Sequence, residues 1–248
     1  MATVLAALDN SLATNPVLVA ARALARVLGV RVEAIHVLGE GEAPESAAQA
    51  AGVPLQLTSG PVVERLVEAG ETEDIAALVI GARGTIESER TLGSTAMAVV
   101  TSLSKPVVVV PPGAHVAPRL RSALVPLEET TTPLLTPLST IELSPNDRVD
   151  VTVLYVGGGH YDEEWTRDVL ARYSPWGLGE VRVERRAGSR EEVVPMVAEE
   201  AHPDLVVLGW AQQLSDDRGP VVRAVLERAK LPVMLIPVSV RGGDDDRP

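Results

Sequence analysis

The chain of 248 residues has ordinary globular composition, with 46% hydrophobic and 23% charged residues, and its formal net charge is −12. It contains no cysteine, which excludes disulfides, thiolate zinc sites, iron–sulfur clusters and a cysteine nucleophile. Because the charge is negative and aromatic residues make up only 2% of the chain, an extended nucleic-acid surface is not expected.

Short apolar segments alternate with amphipathic ones through the first half of the chain. Strands are predicted at residues 3–8, 32–38, 76–80 and 106–111. Their near-continuous apolar character is typical of parallel strands that are buried on both faces. The remaining segments are predicted as helices at 61–70 and 94–104 and, for residues 40–58, as a short helix and a loop. Strands that alternate with helices predict a doubly wound, Rossmann-like α/β fold.

The segment between the first two strands carries clear helix signals. Thr14 or Asn15 can act as its N-cap, Pro16 suits its first position, and Gly29 follows its end. This helix provides the first crossover that a parallel sheet requires.

The second half of the chain repeats the first in the same order. The matching pairs are Val4–Asp9 with Ala123–Glu128, Val32–Gly39 with Val151–Gly158, Ile75–Gly81 with Pro203–Gly209, and Lys105–Pro111 with Lys230–Pro237. Four matches in one order are a much stronger signal of an internal repeat than any one of them alone.

The repeat predicts two domains of the same fold, over residues 1–113 and 119–240, followed by an acidic tail at 241–248. The last predicted strand of each half is an apolar run flanked by prolines, Val107–Val110 and Val233–Ile236. Open edges of this kind promote aggregation, and antiparallel pairing of the two strands with each other would remove both edges. Two chains associating into a homodimer is a further option that the sequence leaves open.

Three segments of the first half are predicted to meet at the carboxyl edge of the sheet, where open parallel sheets bind ligands. Asp9 follows the first strand, His36 and Val37 end the second, and the segment Gly81–Gly84 follows the third. The glycines there would allow the backbone to approach a ligand closely.

A helix start downstream has the character of an anion site. Gly93, Ser94 and Thr95 would present three backbone N–H groups and two hydroxyls at a helix N-terminus, and Arg83 would add positive charge. Isolated glycine spacings are weak motifs, so an alternative is that these glycines only shape turns and cap the helix.

The segments VLAALDNS, GARGTIESERTLGST and KPVVVVPP together resemble the universal stress protein family, here as a tandem of two domains over nearly the whole chain. The resemblance implies a fold similar to adenine-nucleotide alpha hydrolase-like domains. It also implies that the last strands of the two halves pair antiparallel, so that the halves form a pseudo-dimer within one chain. It also implies binding of ATP or a related adenine nucleotide, with or without Mg²⁺. The residues that it implies as nucleotide contacts are Ala7, Leu8, Asp9, Val37, Ile80, Gly81, Arg83, Gly84, Gly93, Ser94 and Thr95.

The second half departs from the family pattern at the positions that would bind the nucleotide. Glu128 replaces the aspartate, Gln212 replaces the second glycine of the motif, and Pro220 replaces the serine at the helix start. Asp216 and Asp217 place negative charge where a phosphate would lie. We therefore expect at most one nucleotide per chain, in the first half.

The resemblance implies a stress-response regulatory protein. A cytoplasmic location is expected because no targeting segment is recognisable at the start of the sequence. No nucleic-acid, membrane or metal site and no catalytic residue is expected, and ATP hydrolysis would be slow at most. Two alternatives remain: a nucleotide-free interaction or scaffold module, and an enzyme of the hydrolase-like group. The first is favoured by Glu87 and Glu89 and by a glycine spacing one residue shorter than the family's. Its protein partner is not identified by the sequence.

Overall fold

The computed structural model describes residues 2–9, 14–39, 52–82, 92–127, 148–157, 179–210 and 219–237. The strands are β1 (Thr3–Leu8), β2 (Arg31–Leu38), β3 (Leu55–Ser59), β4 (Ile75–Gly81), β5 (Val107–Val110), β6 (Ser122–Leu127), β7 (Asp150–Val156), β8 (Val181–Arg186), β9 (Leu205–Trp210) and β10 (Val233–Pro237). The helices are α1 (Thr14–Leu28), α2 (Val62–Gly70), α3 (Ser94–Ser102), α4 (Arg190–Ala201) and α5 (Gly219–Arg228). These elements form an α/β fold built around one sheet.

The ten strands lie in the order β3-β2-β1-β4-β5-β10-β9-β6-β7-β8. Within each half all neighbouring strands are parallel, whereas β5 and β10 pair antiparallel at the centre, with Val108 opposite Met234. The second half therefore repeats the strand order of the first in the opposite direction. This confirms the predicted doubly wound fold and the antiparallel pairing of the two last strands within one chain.

Two hydrophobic cores lie on opposite faces of the sheet because successive side chains of a strand alternate in direction. On β1, Val4 and Ala6 contribute to the core beneath α1, while Leu5 and Ala7 contribute to the core on the other face. The helices α2, α3, α4 and α5 all contribute buried residues to this second core. Both faces of β1, β4 and β5 are consequently covered, which explains their uninterrupted apolar sequences.

The two outermost strands were not predicted. β3 overlaps the end of the segment 40–58, which was expected to form a short helix and a loop and of which residues 40–51 lie outside the described residues. β8 has no counterpart among the segments that matched between halves. Each pairs with one neighbour only and is largely half-exposed or exposed, so neither sequence carries the continuous apolar run of a central strand. Small shifts of element ends also occur: α1 begins at Thr14, so Thr14 lies within the helix and not before it.

The outer strand β8 carries charged side chains that pair with one another. Arg182 donates to the carboxylate of Glu180 at 2.6 Å, which lowers the pKa of that carboxyl group below its ordinary value. Arg186 bonds to Glu184 at 2.6 Å and to Glu200 at 3.1 Å. Charges along an outermost strand hinder its pairing with another chain.

The turns that precede β4 and β5 are tied together on the amino edge of the sheet. Lys105 donates its ammonium hydrogens to the carbonyl oxygens of Thr72 and Ile75, the latter at 2.8 Å. Glu71 accepts from the hydroxyl of Ser104 at 2.6 Å. These bonds connect the segments from which both strands enter the sheet.

No helix within the described ranges is long and apolar enough to cross a membrane.

We predict that Leu235→Ala lowers the free energy of unfolding by about 2–5 kcal/mol, because Leu235 is fully buried in β10 against β5 and its loss leaves a cavity at the centre of the sheet. Urea unfolding followed by circular dichroism measures the change. The control is Val62→Ala, since Val62 is 43% exposed and should lose well under half as much. A loss at Leu235 no larger than that of the control would contradict the central position of this pairing.

Candidate functional site

The carboxyl ends of β1, β2 and β4 bring the three predicted segments together at one edge of the sheet. Leu8 lies opposite His36, and Ala7 lies opposite Ile80. Continuing this register by one residue from Leu8 places Asp9 between Val37 of β2 and Ala82, which follows β4. Because neighbouring strands are about 4.8 Å apart, the three segments lie within reach of one small molecule. The boundary between β1 and β4 is also where the strand order reverses, which is the usual ligand position in such sheets.

The start of α3 is anchored to this edge by two backbone hydrogen bonds. The N–H of Ala82 donates to the carbonyl of Val110, and the N–H of Gly93 donates to the carbonyl of Ala82, both at 2.8 Å. The expectation that Gly93 offers its N–H to a ligand was therefore wrong, since that donor is used within the fold. The exposed residues Ser94 and Thr95 carry the N–H groups that a helix start leaves without an intrahelical acceptor.

The end of β1 is held by side chains from two other elements. The imidazole of His36, which is only 3% exposed, donates from Nδ1 to the carbonyl of Leu8 at 2.8 Å. The hydroxyl of Thr14, at the start of α1, donates to the carbonyl of Asp9. Sequence reasoning placed His36 at the end of a strand but missed this contact, because the acceptor lies 28 residues away in the chain.

The residues named by the family resemblance differ in exposure. Ala7, Leu8 and Ile80 are buried, Val37, Gly81 and Gly93 are half-buried, and Asp9, Ser94 and Thr95 are exposed. Arg83 and Gly84 lie outside the described residues. The structure thus brings the described members of the set to one edge, with Asp9, Ser94 and Thr95 offering the most accessible polar groups.

Two buried aromatic side chains lie near the carboxyl ends of the corresponding strands in the second half. Trp210 in β9 takes the place of Ala82, and Tyr155 in β7 takes the place of His36. Both aromatic side chains are 1% exposed, and each contributes to one of the two cores. The sequence analysis did not predict these two buried rings. The aligned segments do show Trp210 after Gly209, where the first half has Ala82 after Gly81.

The start of α5, the corresponding helix of the second half, has one backbone N–H donor fewer than the start of α3. Pro220 is the second residue of α5 and has no N–H group, and Gly219 before it is buried. Asp216, Asp217 and Gln212 lie outside the described residues. The pair of backbone donors that Ser94 and Thr95 present at the start of α3 is therefore not repeated at Gly219 and Pro220.

Across the described parts of the chain, no group of three or more His, Asp or Glu side chains is arranged to hold a metal ion.

Comparison with known proteins identifies one family. The model of the universal stress protein family matches residues 39–111 and 127–237. Among curated proteins, none matches the chain.

Solved structures of similar size share the fold. A universal stress protein from Archaeoglobus fulgidus DSM 4304 superimposes with a TM-score of 0.68 at 15% identity, covering 98% of this chain and 97% of its own. A putative universal stress protein from Pseudomonas aeruginosa UCBPP-PA14 gives a TM-score of 0.65 at 10% identity, covering 95% and 92%. A functionally unknown protein from Pseudomonas aeruginosa PAO1 gives 0.64 at 11% identity, with the same coverage. At these identities the likeness concerns the fold alone.

We predict that Trp210→Ala lowers the free energy of unfolding by about 3–5 kcal/mol, because a fully buried indole is removed from the second-half edge. Trp210→Phe should lose less, since it retains an aromatic ring in the same space. Urea unfolding measures both, and Met196→Ala serves as the control because Met196 is 40% exposed in the same half. If Trp210→Ala lowers the free energy of unfolding by less than about 1 kcal/mol, the indole is not buried in solution.

Proposed function

The chain belongs to the universal stress protein family, and from this we propose that its first half binds one adenine nucleotide, ATP or a close relative, as part of a stress-response function. The proposed site is the carboxyl edge formed by β1, β2 and β4 together with the start of α3. Mg²⁺ would accompany the polyphosphate.

The observation that carries the proposal is the anchored start of α3. The bonds from Ala82 to Val110 and from Gly93 to Ala82 hold this helix end against the ends of β4 and β5. The N–H groups and hydroxyls of Ser94 and Thr95 therefore lie near the ends of β4 and β5, at the same edge of the sheet as the end of β1. A helix N-terminus with such donors favours phosphate through hydrogen bonds and through the helix dipole.

The nucleoside part has suitable groups at the same edge. The carboxylate of Asp9 is exposed and accepts hydrogen bonds, as ribose hydroxyls require. Val37 is half-buried on the neighbouring strand and offers apolar contact for a base. Ala7, Leu8, Ile80 and Gly81 would line the site mainly through the backbone. Arg83 and Gly84 complete the proposed set.

The asymmetry between the halves supports one nucleotide per chain. Pro220 removes a donor from the start of α5, and Trp210 and Tyr155 place buried aromatic rings near the ends of β9 and β7. The charges of Asp216 and Asp217 would also oppose a phosphate there.

No side chain is proposed as a nucleophile or general base, so the nucleotide acts as a bound ligand and its hydrolysis would be slow. The other reading is a nucleotide-free interaction module of the same fold, which Glu87 and Glu89 between the two glycine segments favour. Calorimetry separates the two, because a nucleotide-free module gives no binding heat with ATP, ADP or cyclic AMP.

We predict that isothermal titration with ATP gives a stoichiometry near one and that Asp9→Ala weakens binding at least about tenfold, since a charge-assisted hydrogen bond contributes on the order of 1.5–3 kcal/mol. Glu128→Ala is the matched control at the equivalent position of the second half and should leave the affinity unchanged. Two equivalent sites, or equal effects of the two variants, would contradict the assignment to the first half.

We predict that Ser94→Pro weakens ATP binding roughly a hundredfold, because it removes one N–H and one hydroxyl from the proposed phosphate site. The helix should remain intact, since Ser94 is its first residue and Gly93 before it has φ −69° and ψ 157°, a conformation that proline accepts in the preceding residue. Ser94→Ala keeps the N–H and should lose only about tenfold. Unchanged affinity in a folded Ser94→Pro protein would remove the phosphate role of this helix.

A further inference from the structure

His36 is a buried polar side chain in an otherwise apolar stretch of β2. It is 3% exposed, and apart from it only Thr3 is a buried polar or charged residue in the described part of the chain. Burying an imidazole costs free energy unless it forms hydrogen bonds, and a valine or isoleucine would suit this strand position better. The presence of histidine here therefore calls for a role that an apolar side chain could not perform.

The contact that His36 makes is directed at the last residue of β1. Its Nδ1 lies 2.8 Å from the carbonyl oxygen of Leu8, and because a carbonyl only accepts, Nδ1 carries the proton. Leu8 and His36 form the final register pair between β1 and β2. The bond therefore secures β1 at the point where the chain leaves the sheet.

A second side chain secures the next carbonyl along the chain. The hydroxyl of Thr14 donates to the carbonyl of Asp9. Two successive peptide groups, those of Leu8 and Asp9, are thus held by donors from β2 and α1. With both carbonyls held, the backbone from which the Asp9 side chain leaves has a defined direction.

Neither donor is repeated in the second half. Tyr155 occupies the position of His36 and has no donor at the δ position of its side chain. At the offset of 119 residues that relates the two halves here, Pro133 corresponds to Thr14 and has no hydroxyl. At the equivalent sequence positions, the pair of donor residues thus occurs only in the half that carries the proposed nucleotide site.

We propose that His36 is a positioning residue of the nucleotide site, holding the end of β1 through the Leu8 carbonyl so that Asp9 is placed for ligand binding. This inference rests on the proposed function. His36 itself is not proposed to touch the nucleotide, because its side chain is buried beneath the edge.

The test compares His36→Leu with His36→Asn in the full chain. Asparagine carries its amide nitrogen at the position of Nδ1 and can still donate to the Leu8 carbonyl, whereas leucine cannot. Titration calorimetry with ATP should show about tenfold weaker binding for His36→Leu and binding within about threefold of the unchanged chain for His36→Asn. Hydrogen exchange of the peptide that spans Leu8 and Asp9, measured without nucleotide, should be faster in His36→Leu than in His36→Asn.

A purely structural role gives a different pattern. Both variants lose the imidazole ring, so a packing role would lower the melting temperature of both and leave the affinity of the folded protein unchanged. Equal ATP affinity in His36→Leu and the unchanged chain overturns the inference, as does an equal loss in both variants. If the unchanged chain binds no adenine nucleotide, the proposed function itself fails, and the positioning role fails with it.

A second pair of variants keeps the test decisive if His36→Leu does not fold. Thr14→Val removes the donor to the Asp9 carbonyl at the partly exposed start of α1, and Thr14→Ser retains it. If Thr14→Val binds ATP several-fold more weakly and Thr14→Ser does not, the result supports the claim that holding the end of β1 positions Asp9 for binding. Equal affinity in the two Thr14 variants overturns it.

Discussion

The antiparallel pairing of β5 with β10 is the interaction on which the architecture depends. Each strand is a buried apolar run, and each would be an exposed sheet edge if its half stood alone. Pairing them removes both edges and joins two repeats into one ten-stranded sheet. The outer edge that this leaves at β8 is charged, a feature that hinders association through it.

The same central strand also supports the proposed nucleotide site. Val110 at the end of β5 accepts the N–H of Ala82, and Ala82 accepts the N–H of Gly93, so the start of α3 is held through β5. The fold thus uses one strand for two purposes: its edge joins the halves, and its carboxyl end positions a helix N-terminus. Substitutions in the β5–β10 pair are therefore expected to affect stability and ligand binding together.

The two halves show how one fold can keep its shape while its edge changes in character. Where the first half has Ala82 and His36, the second has Trp210 and Tyr155, both fully buried. The aromatic rings extend the second-half cores to the carboxyl edge, whereas the first half keeps small or hydrogen-bonding side chains there. Such a difference costs the parallel ladder nothing, because the strands pair through their backbone and only side chains are exchanged.

The sequence by itself predicted the α/β repeat, because long apolar runs and strand–helix alternation are local signals of burial. The central pairing and the proposed nucleotide contacts were implied by the family resemblance of its motifs. It did not reveal β3 and β8, because an outer strand is covered less completely and carries no continuous apolar run. Nor did it show that the Gly93 N–H is used by Ala82, or that His36 bonds to Leu8. Those contacts join residues far apart in the chain, and only the packing of strands and helices decides which donor meets which acceptor.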